Sequence, residues 1–283
     1  MQAVRSTEHV WTHDGPDSET FGLEPNYGCC TANFNQGWPK LAHNMIFTES
    51  SPPGVVVGIW APQIAVTSKT SSVTVETEYP FGDDATVTVA NTGITDLAVK
   101  LRIPSWSTAA TVNGAAAANG TLWAGTAPAS MTTTFKLEFN PEVRLQRWDG
   151  GAVSVHRGAL MYSLPISANF TTYGHHFGDD GNDYELSATA EWRFALDEGS
   201  LVFRRNAPLG GAAPWNHTGW PVVIDATVRE VPSWGMTLNS ASEPPASPAC
   251  TAAGSSCGGP VKVTLVPHGG TDLRVGELPV SGL

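Results

Sequence analysis

Two cysteines stand side by side at Cys29 and Cys30, and adjacent thiols have few uses. Neighbouring Cα atoms across a trans peptide lie about 3.8 Å apart, short of the ~4.4–6.8 Å that a disulfide prefers. The pair is therefore two reduced thiols, or bonded to other cysteines, or bound to a metal. Zinc accepts cysteine thiolates but usually takes four ligands, and only two lie here, with no third cysteine or Cys-X-X-His pattern nearby. His9 and His13 are four apart and would share a face of a helix, yet the residues around them carry no apolar stripe. His175 and His176 border an acidic stretch, Asp179-Asp180-Gly181-Asn182-Asp183. That stretch opens like a calcium loop but lacks the later glutamate, so a solvated turn is the better reading. Cys250 and Cys257 flank six small or polar residues, Thr251 to Ser256. Such a loop brings its ends within disulfide reach, and a local disulfide is expected there.

The elements that must hold these residues fall into two regimes. Residues 1–28 are polar and irregular, with a turn cluster at Asp14-Gly15-Pro16-Asp17. A short helix is expected from about Thr31 to His43, kinked or restarted at Pro39. Phe34, Trp38, Leu41 and Met45 recur at helical spacing and read as packing residues. The cysteine pair then sits at the helix start, where backbone N–H groups and the dipole favour a thiolate. Past residue 54 the pattern changes to strands. Val55 to Trp60, the alternating run from Val66 to Tyr79, Thr86 to Val89, Leu97 to Pro104 and Thr134 to Phe139 are strand-like. Val112-Asn113-Gly114-Ala115 reads as a turn at a strand end. A second series begins at Val153 and continues through Trp192–Leu196, Leu201–Phe203, Val222–Ile224 and Val261–Val266. Short strands separated by Gly, Asn and Pro turns indicate β-sandwiches.

Composition narrows the partners. The 283 residues include 29 Gly and 21 Pro, too few together to signal disorder. Only 14% of residues are charged, which argues against long surface helices. Asp and Glu exceed Lys and Arg by 26 to 15, a net charge of −11, so nucleic acid is an unfavourable partner. No apolar run approaches the roughly 20 residues of a membrane helix. Neutral polar ligands fit better, and ten tryptophans offer faces for sugar rings, although most tryptophans of a β-sandwich are core. Three Asn-X-Thr sequons, at Asn119, Asn169 and Asn216, and the secreted look of the composition suggest an extracellular protein. The opening residues carry no signal-peptide pattern, which points to a true start further upstream.

Asn26-Tyr27-Gly28-Cys29-Cys30-Thr31-Ala32-Asn33 resembles the vicinal-cysteine motif of glycoside hydrolase family 127, the β-L-arabinofuranosidases. Other segments are similar to that family in the same order. They are Leu101 to Trp106 with Val112-Asn113-Gly114, Arg157 to Tyr162, Asp183 to Leu196, Val231 to Trp234, and Thr264 to Val275. The series spans nearly the whole chain from about Gly22. The resemblance implies a mainly β fold. Jelly-roll-like β-sandwich domains at 50–150 and 151–283 would follow a remnant of an (α/α)6-barrel catalytic domain at 1–49.

The same resemblance implies a retaining glycosidase with zinc as cofactor. Cys29 would be the nucleophile and a zinc ligand, and Cys30 a second zinc ligand. The substrate would be a glycan bearing β-L-arabinofuranosyl or a related sugar. The chemistry is consistent: retention needs a nucleophile and an acid/base group flanking the scissile bond. Zinc keeps a thiol in the anionic form that attacks the anomeric carbon, and the acid then serves as base towards water. In the family the acid/base Glu and the remaining zinc ligands, a Glu and a Cys, lie upstream of this motif. Glu8, Glu19 and Glu24 carry no motif that makes any of them that acid. The chain alone is therefore expected to have little or no glycosidase activity. The alternative is a non-catalytic β-sandwich module that binds carbohydrate or acts as a scaffold.

Overall fold

The computed structural model describes residues 21–22, 28–175, 182–206, 215, 219–237, 240–250 and 257–283. The chain starts with β1 (Phe21–Gly22), α1 (Gly28–Phe34) and α2 (Gly37–His43). Next come β2 (Ile46–Ser50), β3 (Pro53–Val57), β4 (Gln63–Ser68), β5 (Ser71–Thr77), β6 (Asp84–Asn91) and β7 (Leu97–Arg102). They are followed by β8 (Thr111–Val112), β9 (Ala115–Ala116), β10 (Leu122–Ala127) and β11 (Met131–Glu138). The later strands are β12 (Val143–Arg147), β13 (Val153–Arg157), β14 (Leu160–Pro165), β15 (Ala168–His175), β16 (Asn182–Ala188) and β17 (Phe194–Leu196). The last are β18 (Val202–Arg205), β19 (Val222–Glu230), β20 (Met236–Thr237), β21 (Ser240–Ala241), β22 (Pro260–Pro267) and β23 (Arg274–Val275). The architecture is mainly β, and among the described residues no helix is long and apolar enough to cross a membrane.

These elements form two compact units that interleave along the sequence. One comprises residues 36–143 and 157–160; the other comprises residues 1–35, 144–156 and 161–283. The first is a β-sandwich. Its four-stranded sheet runs β10-β7-β3-β2 and its six-stranded sheet β4-β5-β6-β11-β8-β9. Alternation dictates which side chains meet between them, since strand residues two apart share a face. Val55, Val57, Val99 and Leu101 come from one sheet, and Val73, Val75, Val87, Val89, Phe135 and Leu137 from the other, all in one buried cluster. Each such side chain, fully withdrawn from water, contributes about 1.5–3 kcal/mol. Trp60 closes the cluster: its ring meets Phe139 edge-on at 5.3 Å, and its Nε1 donates to the Arg102 carbonyl at 2.9 Å. The β8–β9 hairpin turns at Asn113 and Gly114, whose φ values of 51° and 78° suit the mirror-image turn that Asn-Gly favours.

The second unit is organised by a large sheet in the order β12-β13-β14-β22-β19-β17, with β18 on β19 and β23 on β14. A smaller sheet, β1-β16-β15, belongs to the same unit. The inner residues of β13, β14, β17, β19 and β22 are buried, among them Val155, Tyr162, Leu196, Ile224 and Leu265. Cys250 and Cys257 are joined by a disulfide with Cα atoms 5.7 Å apart. Beside it, the backbones of Ala249 and Cys250 donate to the carbonyls of Val280 and Ser281.

The helical segment starts at Gly28 rather than Thr31, and it breaks ahead of Pro39, where a kink or restart was expected. It is two short helices separated by a turn at Asn35 and Gln36. Pro39 lies in the first turn of α2, where its missing N–H costs no intrahelical bond. The apolar stripe is only partly covered, with Met45 half-buried. Phe34 is 74% exposed, Trp38 63% and Leu41 40%, and α2 buries none of its residues.

Candidate active site

Cys29 and Cys30 are the second and third residues of α1, preceded by Gly28. Both are exposed. Their sulfurs stand 3.7 Å apart, far beyond a disulfide bond, so both side chains reach the same region at the start of the helix. The Asn33 side chain donates to the Cys29 carbonyl at 2.6 Å, tying the first turn to the next.

That spacing is ordinary contact for two reduced thiols, and it can also be compared with a zinc site. Two thiolates at about 2.3 Å from one tetrahedral ion stand about 3.8 Å from each other. The observed 3.7 Å therefore matches two corners of a zinc tetrahedron. The remaining corners need other donors. Among the described residues, no group of three or more His, Cys, Asp or Glu side chains is placed to hold a metal. The pair fits zinc as half of a site.

The other chemistry-bearing residues are dispersed. Cys250 is 1% exposed and consumed in the disulfide, so it offers no thiol. The backbone of His175 ends β15, and Asn182 and Asp183 begin β16. Glu8, His9, His13, Glu19, Glu24, His176, Asp179, Asp180 and Asn216 lie outside the described residues. Most described tryptophans are structural. Trp60 and Trp234 are each 2% exposed, and Trp192 packs edge-on against Trp234 at 5.2 Å.

Two Ser–His pairs escape motif reading and have the look of nucleophile–base dyads. His268 Nδ1 lies 2.7 Å from Ser163 Oγ. Arg274 Nε donates to His268 Nε2 at 2.9 Å. A guanidinium can only donate, so Nε2 must accept and the ring proton sits on Nδ1. His268 thus donates to Ser163 and cannot take its proton, which makes the pair a structural brace. Burial, with Arg274 beside it, pushes the His268 pKa below the usual histidine value. In the second pair Ser154 Oγ accepts from Trp148 Nε1 at 2.9 Å and lies 2.8 Å from His156 Nε2. Burial, with Arg144 nearby, lowers the His156 pKa as well. Ser154 and Ser163 are each 1% exposed, out of reach of a bulky substrate.

The chain thus joins a β-sandwich unit to an exposed pair of vicinal thiols that precede it in sequence. Residues 54–126 match the family described as β-L-arabinofuranosidase, GH127 middle domain. The fold is similar to that of a GH127 β-L-arabinofuranosidase from Geobacillus stearothermophilus, with a TM-score of 0.57 and 17% identity over 89% of this chain and 36% of that one. A second solved structure, that of a glycoside hydrolase, aligns with a TM-score of 0.61 and 16% identity over 91% of this chain and 40% of the other. The chain thus spans less than half the length of either structure. No curated protein sequence matches it. The family match is confined to residues 54–126, and the similarity to the two solved structures is one of fold.

Proposed function

We propose that this chain is the C-terminal part of a retaining glycoside hydrolase that acts on glycans bearing β-L-arabinofuranosyl or related sugars, outside the cell. Cys29 is the nucleophile in this reading, and Cys29 and Cys30 are two of the zinc ligands. The observation that carries it is the exposed thiol pair, 3.7 Å apart, which precedes in sequence the strands that match the family's middle domain. Residues 1–49 are then the end of a helical-barrel catalytic domain, and the exposed apolar stripe of α1 and α2 supports that assignment.

Zinc, when bound, keeps both sulfurs as thiolates at neutral pH. Cys29 contributes the attacking sulfur, which forms a bond to the anomeric carbon as the glycosidic bond breaks. Cys30 holds its neighbour in place. The general acid that protonates the leaving oxygen, and the remaining zinc ligands, come from residues upstream of this segment in the whole protein.

The test compares two proteins. The 283-residue chain is expected to release little or no arabinose from a β-L-arabinofuranosyl substrate. The chain extended by its upstream in-frame coding sequence is expected to release it and to hold one zinc by metal analysis. Cys29→Ala in the extended protein should abolish turnover while leaving the fold intact by circular dichroism. Full activity of that variant would overturn the assignment of the nucleophile.

A further inference from the structure

We infer that Asn119 and Asn169 are N-glycosylation sites, each taking an oligosaccharide on its side-chain amide nitrogen. The inference rests on the extracellular reading above. Both sequons meet conditions that the sequence pattern alone leaves open. Asparagine and threonine are exposed in each, at Asn119 and Thr121 and at Asn169 and Thr171.

The two settings differ, and each accommodates a bulky substituent. Asn119 lies on a turn pinned on both sides: Gly120 N donates to the Ile103 carbonyl at 3.1 Å, and Ile103 N donates to the Thr121 carbonyl at 2.9 Å. Gly120 has a φ of 69°, a left-handed conformation that glycine adopts without strain. The Asn119 amide makes only a long 3.3 Å bond to the Ser105 carbonyl, so glycosylation disturbs little. Asn169 is on β15, which pairs with β16 on one side and forms an edge of its sheet. Residues two apart on a strand share a face, so Asn169 and Thr171 project together, opposite Ser187 and Glu185. Phe170 points the other way and meets Tyr184 edge-on at 5.8 Å. A glycan there extends from a polar face and leaves the aromatic pair untouched.

The disulfide is compatible with the same route. The Cys250–Cys257 disulfide is of a kind that persists in oxidising compartments, and the lumen in which a lipid-linked oligosaccharide is transferred is one of them. The reaction balances. A bond forms between the asparagine Nδ2 and the anomeric carbon of an oligosaccharide carried on a lipid diphosphate. The bond from that carbon to the diphosphate breaks, the lipid diphosphate leaves, and the amide loses one proton.

The test expresses the chain behind a signal peptide in a eukaryotic secreting host and measures intact and peptide masses before and after an amide-cleaving N-glycanase. The 119 and 169 peptides should each carry a glycan and return as aspartate, one mass unit heavier than the unmodified asparagine peptide. Asn119→Gln and Asn169→Gln should each remove one glycan, and Thr121→Ser and Thr171→Ser should retain occupancy. Secreted, folded protein with either asparagine unmodified overturns the proposal for that site. The forced secretion makes this independent of natural location: an unglycosylated cytoplasmic protein in its own cells would refute the extracellular reading instead.

Discussion

Arg274 donates from Nε to Nε2 of His268, and that single bond decides what the histidine can do. A second proton on the ring would set an N–H against a guanidinium that has no acceptor to offer. The folded state therefore favours neutral His268, in the same direction as its burial. A depressed pKa contributes stability that is complete above the unfolded-state pKa, about 6.5 for histidine, and is lost as pH falls through the folded value. Unfolding free energy should therefore decline as pH drops from 8 towards 5, and His268→Asn should flatten that decline. His156 shifts the same way and accounts for part of the slope that remains. Urea titrations at several pH values would check this; an unchanged slope in the variant would sink it.

Asp83 and Arg157 form a bidentate pair, with N–O distances of 2.8 and 2.7 Å and side chains only 29% and 13% exposed. Asp83→Asn keeps the shape but gives up a charge-assisted fork, at an expected cost of about 2–3 kcal/mol. Lys100 and Glu49 approach equally closely, at 2.7 Å, but each is about a third exposed. Glu49→Gln should then cost less than about 1 kcal/mol. Chemical denaturation of both variants tests the ordering.

Gly270 lies against the Trp220 indole. A Cβ there would come within 2.7 Å of Trp220 Cδ1, while Trp220 Nε1 donates to the Gly270 carbonyl at 2.7 Å. Gly270→Ala forces the ring to move and strains that bond, at an expected cost of about 1–3 kcal/mol. Near-ultraviolet circular dichroism should change with it. Gly235→Ala, with open space around its Cβ position, is the control.

The four cysteines should separate cleanly by reactivity. Native, unreduced protein treated with iodoacetamide should be labelled at Cys29 and Cys30, which are exposed, and not at Cys250 or Cys257. Reduction under denaturing conditions should raise the count to four. Replacing Cys250 and Cys257 together by serine should lower stability by roughly 2–3 kcal/mol, the loop-closure entropy of so short a ring. Labelling of Cys250 without reductant would contradict the bridge.

Where strands alternate strongly, they were legible before the structure. Val73 and Val75 against Thr74 and Glu76 mark β5, and Phe135 and Leu137 mark β11, because the period of two follows from one buried face. The edge strands β2 and β10 were not evident, since Phe47 and Leu122 are half exposed and the pattern there is diluted. Asn113-Gly114 revealed its turn because few other dipeptides tolerate two positive φ values. The cysteine pair was legible as chemistry, but its sulfur spacing depends on the helix beginning at Gly28 rather than Thr31. His268 and Arg274 were visible only as members of a segment. Their contact with each other and with Ser163, which is 105 positions away from His268, is a product of tertiary packing.

Arg157 belongs to a four-residue piece, 157–160, that lies within one unit while the chain on either side of it lies in the other. Dissection by sequence order therefore goes wrong at this point. A sandwich excised as residues 36–143 would keep Asp83 and discard the guanidinium that grips it. A faithful excision would have to graft the short segment back, as a loop or as an added peptide, and its recovery of stability would measure what those four residues contribute.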